Sequence, residues 1–299
     1  MRHVLEVDDL TPAELGDVLD LARLAEPPAV LARRGAALIF EKPSNRTRNA
    51  TEMAVVALGG HPITIRAEEI GLGVRESVED VTRVLAQYHA VIGARVFDHR
   101  VLEAMAAVDQ VPVVNLLSDR SHPCQALADL LTLRQRWGNL AGRSLAWVGD
   151  GNNVARSLTL AAAMAGVEVR LACPAGHQLD PVALEASRSY GVPVLATTDP
   201  AEAVAGADAV CTDVWVSMGQ EGQASRRLDA FAGYQVDAAL MANAAPGAVF
   251  LHCLPAHRGL EVAAEVIDGP ASAVWEQAAN RMHAARGVLL WLVGERSQS

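Results

Sequence analysis

Short apolar runs alternate with stretches of helical periodicity along the whole chain, and this alternation constrains the fold more than any other feature. Four such runs lie over 36–42, 61–67, 90–96 and 112–117. A second series starts near residue 143 and reads SLAWVGD, VEVRLAC, VPVLATT, DAVCTDV and AVFLHCL. Continuous apolar strands separated by helices are typical of parallel sheets that are covered on both faces. The pattern therefore predicts an α/β fold with two doubly wound parallel sheets.

Several intervening segments carry clear helix signals. Thr11-Pro12-Ala13-Glu14 has the pattern of a capping box with proline at the first helical position. Ser77 is the expected N-cap of a helix over 77–88, and a further helix is expected over 123–137. The apolar side of a helix that ends at Gly59-Gly60 is expected to be formed by Ala50, Met53, Ala54, Ala57 and Leu58.

The length and one polar segment predict two domains. A chain of 299 residues is about twice as long as a typical domain. The segment WGNLAGR (137–143) separates the two series of strands and is the candidate boundary. We therefore expect one domain over 1–137 and a second over 138–272. The final helix, within 273–299, is expected to pack back on the first domain.

Composition and charge exclude several classes of protein. A formal net charge of −10 argues against nonspecific nucleic-acid binding, which needs clustered cations. The segment MRHVLEVDDL lacks the apolar core of a signal peptide, and no apolar stretch reaches the roughly 18 residues of a membrane span. Cysteines that form no CxxC pair and fit no zinc spacing suit a reducing cytosol, namely Cys124, Cys173, Cys211 and Cys253. We expect a cytoplasmic protein with neither nucleic-acid nor membrane partners.

The stretch EKPSNRTRNA (41–50) concentrates cations in this acidic chain, directly after a buried strand and at the start of a helix. The free N–H groups and the dipole of a helix N-terminus bind anions. Ser44, Asn45 and Thr47 add polar donors, and Arg46 adds a guanidinium fork that matches phosphate oxygens. The alternative is that the hydroxyls only cap the helix and the arginines are solvated.

A second polar cluster, SHPCQ (121–125), opens the helix over 123–137. His122 and Gln125 are three residues apart, so their side chains can face one point. A histidine can donate a hydrogen bond to a carbonyl oxygen, and a glutamine can accept one from an NH2 group. The alternative is a helix capped by Ser121 with His122 on the surface.

A third stretch, VGDGNNV (148–154), again joins a strand to a helix. The glycine fingerprint of dinucleotide sites is incomplete, because Gly149 and Gly151 are followed by Val154 where a third glycine belongs. Asn152 and Asn153 nevertheless lie at the carboxyl end of a strand, where open α/β sheets bind ligands.

Two more polar segments follow strands of the second series and should project from the same edge of the sheet. In TDVWVSMG (212–219), Asp213 suits an ammonium group and Ser217 a carboxylate. In LHCLPAHRGLE (251–261), Cys253 is the one cysteine whose position suggests contact with a ligand. The alternative for Asp213 is a turn residue, and the alternative for Ser217 is a loop hydroxyl. His257-Arg258-Gly259 is alternatively a turn with solvated charges.

Together these five stretches resemble the aspartate/ornithine carbamoyltransferase family, most closely its ornithine branch, over nearly the whole chain. The motifs that carry the resemblance are SNRTR (44–48), HPCQ (122–125), GDGNN (149–153), Asp213 with SMG (217–219), and HCLP (252–255). The resemblance implies transfer of a carbamoyl group from carbamoyl phosphate to L-ornithine, giving L-citrulline and phosphate. It also implies two α/β domains joined by long helices with a cleft between them, a homotrimer or a multiple of trimers, and neither a metal nor an organic cofactor.

The resemblance assigns roles residue by residue. It implies a carbamoyl phosphate site made of Ser44, Asn45, Arg46, Thr47, Arg95, His122, Gln125, the Leu254 carbonyl and Arg281. It implies ornithine contacts from Asn153, Asp213, Ser217 and Met218. The catalytic residues implied are Arg46, Arg95, His122, Asp213 and Cys253.

Three positions depart from the family pattern. Asn45 stands where the family usually has threonine, and its amide can still donate to phosphate. Ala50-Thr51-Glu52 replaces a common Ser-Phe-Glu, which we expect to alter helix packing rather than chemistry. Leu260 replaces the first glutamate of an Arg-Gly-Glu-Glu segment, which puts one indirect charge in doubt.

Other functions remain open at this point. An aspartate carbamoyltransferase would need extra cations in the second domain, whereas the loops offer Asp213, Ser217, Met218 and Cys253. Acetylornithine, putrescine and lysine remain possible amine substrates. A noncatalytic anion-binding paralogue is expected to lack one of Arg46, Arg95, His122 and Arg281, and a dinucleotide-dependent dehydrogenase is expected to have the complete glycine fingerprint.

Overall fold

The computed structural model describes residues 1–217 and 221–294. The contacts divide the chain into two compact units, here called unit 1 (residues 1–131 and the described residues from 279 onward) and unit 2 (132–278). Both changes of unit fall inside helices rather than at the 137–143 segment. The domain bounds of 1–137 and 138–272 therefore stay a prediction.

Unit 1 contains a four-stranded, fully parallel sheet in the order β2-β1-β3-β4. The strands are β1 Gly35–Phe40, β2 His61–Arg66, β3 His89–Arg95 and β4 Val113–Leu117. All of β3 and nearly all of β1 are buried, as expected for central strands of a sheet covered on both faces. The edge strand β2 is only partly buried.

Five α-helices lie within residues 1–107 of unit 1, and the first and fourth begin where the sequence predicts caps. They are α1 Pro12–Ala22, α2 Arg46–Ala57, α3 Ala67–Ile70, α4 Val78–Tyr88 and α5 His99–Ala107. The Thr11 hydroxyl accepts from the Glu14 backbone N–H at 3.3 Å before α1, and the Ser77 hydroxyl accepts from the Asp80 N–H at 3.1 Å before α4. Such caps satisfy backbone donors that a helix leaves open.

The buried side of α2 differs from the predicted one. Met53 is 51% exposed and Ala57 is exposed, whereas Thr47 and Thr51 are buried together with Ala54. The Thr51 hydroxyl donates to the Thr47 carbonyl at 2.8 Å, so it is satisfied within the helix and can be buried. The predicted apolar side was therefore wrong in part, because polar side chains with internal partners occupy the core-facing positions.

Unit 2 contains a five-stranded, fully parallel sheet in the order β7-β6-β5-β8-β9. Its strands are β5 Ser144–Val148, β6 Glu168–Ala172, β7 Val194–Thr197, β8 Ala209–Thr212 and β9 Val249–His252. The remaining helices are α6 Pro123–Trp137, α7 Asn153–Met164, α8 Pro181–Arg188, α9 Pro200–Val204, α10 Ala224–Ala230, α11 Ala238–Met241, α12 Ala264–Ile267 and α13 Val274–Val293. The predicted α/β fold with two parallel sheets is confirmed.

Each sheet has one point where the order of its strands reverses, and open α/β sheets bind ligands beside such points. In unit 1 the chain leaves β1 for β2 on one side and later returns to β3 on the other. In unit 2 the reversal lies between β5 and β8. The ends of β1, β3, β5 and β8 carry part of the predicted site residues, and the others follow β4 and β9 or lie on α13.

Two further observations bear on the sequence-based expectations. No helix within residues 1–217 and 221–294 is long and apolar enough to cross a bilayer. All four cysteines are free thiols, and Cys124, Cys173 and Cys211 are buried while Cys253 is partly exposed.

Candidate active site

Two segments that are distant in sequence converge on Thr47 in unit 1. Thr47 is the second residue of α2, and its side chain is buried. Its hydroxyl oxygen accepts from Arg281 Nη2 at 2.6 Å and from Arg95 Nη1 at 3.4 Å. Arg95 ends β3 and Arg281 lies on α13, and both side chains are buried. Two guanidinium groups are thus gathered around the first turn of one helix.

Arg46, the first residue of α2, adds a buried donor beside this cluster. Its Nε is buried and has no hydrogen-bond partner among residues 1–217 and 221–294. A buried N–H without an acceptor is costly in free energy, and an anionic oxygen would satisfy it. The start of α2 thus combines a helix N-terminus with nearby guanidinium groups, and both features suit a small anion.

Asn45 and Ser44 precede the helix and are more accessible. Asn45 makes no side-chain cap, and its Oδ1 accepts from the Asn49 amide at 3.0 Å. Ser44 is partly exposed and Asn45 is exposed. The side chain of the N-cap residue Asn45 therefore does not cap α2.

His122 lies in the interior of unit 1, so its alternative placement on the surface is also wrong. Its side chain is only 3% exposed, and Arg281 Nη2 lies 3.4 Å from its Nε2. Burial lowers the pKa of His122 well below the usual 6.5, and the positive charges of Arg281 and Arg95 lower it further. The imidazole is therefore neutral at physiological pH.

Gln125, one turn further along α6, presents an acceptor. It is fully buried, and its Nε2 donates to Asp129 Oδ1 at 2.7 Å. This hydrogen bond fixes the orientation of the amide, and its Oε1 has no partner in the described part of the chain. A buried carbonyl-type oxygen of this kind suits an NH2 group.

The segment that leads to His122 is held by Asn115, which the sequence reading did not single out. Asn115 is fully buried on β4, and its Nδ2 donates to the Leu5 carbonyl and to the Ser121 hydroxyl, each at 2.8 Å. Ser121 Oγ in turn donates to the Leu5 carbonyl at 3.0 Å. An asparagine in the middle of an apolar strand-like run, PVVNLL, was the available signal.

In unit 2, the segments after β5, β8 and β9 bring Asn152, Asp213 and Cys253 together. Asp213 is 6% exposed. Its Oδ2 accepts from Asn152 Nδ2 at 2.9 Å, and its Oδ1 accepts from the Cys253 thiol at 3.0 Å. Asn152 also caps α7, because its Oδ1 accepts from the backbone N–H groups of Val154 and Ala155. The expected shared edge of the sheet thus presents a carboxylate held from two sides.

The other predicted ornithine contacts lie on the same segments. Asn153 is the first residue of α7, and Ser217 is a partly exposed residue four positions after Asp213. The prediction for Met218 falls outside the described residues.

A buried ion pair supports the segment between Asp213 and Ser217. Arg227 on α10 donates from Nη2 to Asp150 Oδ2 and from Nε to the Trp215 carbonyl, the latter at 2.5 Å. Burial raises the pKa of the Asp150 carboxyl, although the Arg227 guanidinium opposes that shift. No local pattern indicates this pairing, because its members are 77 residues apart.

The glycines of the 149–153 turn have a structural explanation. A β-carbon at Gly151 would lie 2.3 Å from the Leu179 backbone nitrogen, and the Gly151 N–H donates to the His177 carbonyl at 2.8 Å. The close approach is therefore to the protein's own backbone, in keeping with the incomplete dinucleotide fingerprint.

One group of side chains has the composition of a metal site. The possible ligand atoms lie within 4.8 Å of one another, one each from Asp213, His252 and Cys253. Both ring nitrogens of His252 already have partners, however: Nδ1 accepts from the Leu254 N–H at 2.9 Å, and Nε2 lies 3.3 Å from Glu261 Oε1. The imidazole would have to give up one of these contacts to bind a metal.

Comparisons with known proteins identify the family of the chain. The family model for the carbamoyl phosphate binding domain of aspartate/ornithine carbamoyltransferases matches residues 2–135, and the model for the aspartate/ornithine binding domain matches residues 141–292. Among curated relatives, the ornithine carbamoyltransferase of Acidothermus cellulolyticus is 49% identical, with 98% of this chain and 97% of the relative covered.

Solved structures give the same result. The ornithine carbamoyltransferase of Pyrococcus furiosus superposes with a TM-score of 0.93 at 42% identity, covering 98% of this chain and 97% of that one. The anabolic ornithine carbamoyltransferase of Campylobacter jejuni superposes with a TM-score of 0.94 at 34% identity, covering 99% and 100%. The chain belongs to the aspartate/ornithine carbamoyltransferase family.

Proposed function

We propose that this chain transfers the carbamoyl group of carbamoyl phosphate to the side-chain amine of L-ornithine, giving L-citrulline and phosphate. The observation that carries the proposal is the cluster of Arg95, Arg281 and His122 around the first turn of α2. Carbamoyl phosphate is small and dianionic, and it combines a phosphate with a carbonyl and an NH2 group. The cluster offers donors for the phosphate and the carbonyl, and the buried Gln125 Oε1 offers an acceptor for the NH2 group.

The phosphate end suits the start of α2. The residues assigned to it are Ser44, Asn45, Arg46, Thr47 and Arg95. The buried Arg46 Nε supplies an N–H that lacks an acceptor in the described structure, and the helix dipole favours negative charge. The positive charges of Arg46 and Arg95 also stabilise the phosphate as it leaves.

The carbonyl end suits His122 and its neighbours. As the amine attacks, the carbonyl oxygen becomes an oxyanion, and donors that are already in place stabilise it. Arg95, Thr47 and a neutral His122 are such donors. The Gln125 Oε1, with its amide fixed by Asp129, accepts from the carbamoyl NH2, and we assign the Leu254 carbonyl and Arg281 to the same end.

Unit 2 favours an amine-bearing substrate over aspartate. Asp213 is a buried carboxylate with donors on both oxygens, and the nearby cation Arg227 is already bonded to Asp150. A second substrate carboxylate would require free cations, whereas an ammonium matches Asp213. We assign Asn153, Ser217 and Met218 to the α-carboxylate and α-amino group of ornithine, and Cys253 to the region of the side-chain amine.

The attacking amine must lose its proton. An alkyl ammonium like that of lysine has a pKa near about 10.4, and removal from water lowers it. Asp213, Cys253 and the phosphate are the three candidate acceptors of this proton. Reaction then requires the nitrogen to reach the carbamoyl carbon at about 3–3.5 Å.

A panel of amines tests the substrate. Purified protein is incubated with carbamoyl phosphate and either L-ornithine, acetylornithine, putrescine, lysine or aspartate, and the carbamoylated product is identified by mass. We expect citrulline from ornithine as the main product. Product from putrescine or acetylornithine but not from ornithine would overturn the substrate, and no product with any amine would favour a noncatalytic anion-binding paralogue.

We also propose that the chain assembles as a homotrimer or a multiple of trimers. Unit 1 exposes large apolar side chains on α2 and on the edge strand β2, with Met53 51%, Val56 50% and Ile63 41% exposed. Exposed apolar groups beside a sheet edge are typical of surfaces that another subunit covers. Light scattering should give a mass about three times 31.6 kDa or a multiple of that, and Met53→Glu should lower it.

The cellular setting is part of the proposal. We place the reaction in arginine biosynthesis and in the cytoplasm. The buried free thiols Cys124, Cys173 and Cys211 suit a reducing compartment. Deletion of the gene should create a requirement for arginine or citrulline, and a strain that instead loses growth on arginine would indicate a catabolic role.

A further inference from the structure

Leu254 adopts a backbone conformation that needs support. Its φ of +59° lies in the left-handed region, which is unfavourable for any residue with a β-carbon. Leu254 follows β9 by two residues, and its carbonyl is the group assigned above to the carbamoyl end of carbamoyl phosphate. The contacts that hold Leu254 therefore decide where this carbonyl points.

His252, the last residue of β9, holds the Leu254 backbone. The Leu254 N–H donates to His252 Nδ1 at 2.9 Å. A ring nitrogen that accepts a hydrogen bond carries no proton, so neutral His252 has its proton on Nε2. The residue is only 1% exposed, and its own backbone N–H donates to Gln277 Oε1 at 2.9 Å. The imidazole is thus fixed in place and in tautomer.

The Glu261 carboxylate faces Nε2, the protonated nitrogen of that imidazole. Its Oε1 lies 3.3 Å from His252 Nε2 and also accepts from the His257 backbone N–H at 2.5 Å. Burial alone would raise the pKa of Glu261, but the hydrogen bonds from His252 and His257 outweigh it and lower that pKa. The carboxylate therefore stays ionised although it is fully buried.

The departure at Leu260 does not touch this pair. Leu260 is 38% exposed, whereas its neighbour Glu261 has no exposed surface. The charge that is missing relative to the family pattern is therefore the one at the accessible position 260. The buried glutamate, Glu261, is present.

We propose that His252 and Glu261 are positioning residues for the carbamoyl end of the site. The Glu261 carboxylate selects the His252 tautomer that accepts the Leu254 N–H, and this hydrogen bond holds the Leu254 backbone in the conformation that sets the direction of its carbonyl. The inference rests on the proposed function, because it takes carbamoyl phosphate as the ligand.

The kinetic test is Glu261→Gln, with Glu265→Gln as the matched control. Glutamine has nearly the same size, but its NH2 can donate to Nε2 and so favours the tautomer with a proton on Nδ1, which repels the Leu254 N–H. We expect kcat/KM for carbamoyl phosphate to fall by about 10- to 100-fold, the range that small misplacements of reacting groups produce. KM for ornithine and the melting temperature should change little. Glu265 is exposed on α12, so its variant should behave as wild type.

The spectroscopic test needs no variant and no activity. In protein labelled with ¹⁵N at its nine histidines, His252 is assigned through its backbone connection to Leu251 and Cys253. We expect a pyridine-type Nδ1 and a pyrrole-type Nε2 at neutral pH. A proton on Nδ1 would overturn the inference even if Glu261→Gln failed to fold.

Different results would overturn the proposed function and the positioning role of His252 and Glu261. Wild-type protein that makes no citrulline would overturn the proposed function. An active wild type whose Glu261→Gln variant keeps its kcat/KM for carbamoyl phosphate would overturn only the positioning role of His252 and Glu261.

Discussion

Replacing Arg227 by methionine isolates the ion pair beneath the proposed ornithine site. The guanidinium is 5% exposed and donates to Asp150 and to the Trp215 carbonyl, and its Nη1 lies 3.4 Å from His177 Nδ1. It also lies 5.3 Å from the centre of the Phe231 ring. Methionine keeps much of the length of the side chain but removes every donor.

The expected loss of stability follows from the carboxylate left behind. Asp150 is 8% exposed, and removal of one member of a buried ion pair typically costs about 3–5 kcal/mol. Because 1 kcal/mol shifts Tm by about 2–4 °C in chains of 150–250 residues and by less in a chain of 299, we expect Arg227→Met to lower Tm by about 5–10 °C. Loss of the bond to the Trp215 carbonyl should also raise KM for ornithine while KM for carbamoyl phosphate stays unchanged.

The effect should depend on pH in a defined direction. Burial raises the pKa of Asp150 in the folded protein, so its ionisation destabilises the fold as the pH rises through that pKa. Without Arg227 the pKa rises further. The difference in Tm between wild type and Arg227→Met should therefore be largest at neutral pH and shrink as acid protonates Asp150.

The assay is thermal unfolding of the full chain at several pH values, with steady-state kinetics on the same preparations. Arg226→Met is the matched control, because Arg226 is the exposed neighbour on α10. If Arg227→Met melted within the error of Arg226→Met and kept its KM for ornithine, the buried pair would have neither of the roles described here.

Further substitutions and a pH profile test other parts of the site. Arg46→Ala should lower kcat/KM by about 100-fold or more. Arg258→Ala removes only an exposed ion pair with Asp268 and should have little effect on kcat/KM. Equal losses of kcat/KM in the two variants would show that the anion site has been assigned to the wrong residues. The pKa of His122 lies well below 6.5, so NMR should show a neutral ring through pH 6.5, and a midpoint there would contradict its burial between cations. Gly151→Ala would place a β-carbon 2.3 Å from the Leu179 nitrogen and should raise KM for ornithine; unchanged kinetics would show that the turn adapts.

The periodicity of the sequence was sufficient for the architecture. Strand-length apolar runs and helix caps are local signals, and Thr11 and Ser77 cap α1 and α4 as predicted. Because every strand is parallel, all carboxyl ends of a sheet lie at one edge, so the sequence also indicated which segments carry polar site residues.

Side-chain partners could not be read in the same way. Thr47 is buried on α2 because guanidinium groups from residues 95 and 281 reach it, and Met53 is exposed although its spacing suggested the core. The fold also pairs Asn152 with Asp213, Arg227 with Asp150, and Glu261 with His252. The members of these pairs are 61, 77 and 9 positions apart in the sequence. Such pairings depend on tertiary geometry and leave no periodic trace in the sequence.

The most direct test of the central claim is to measure citrulline and phosphate together. Purified wild-type protein is given carbamoyl phosphate and L-ornithine, and both products are quantified over time. The proposed transfer predicts that they appear in equal amounts and that citrulline is absent without ornithine. Release of phosphate without citrulline would mean that the protein only hydrolyses carbamoyl phosphate, and would contradict the assignment of unit 2 as the ornithine site.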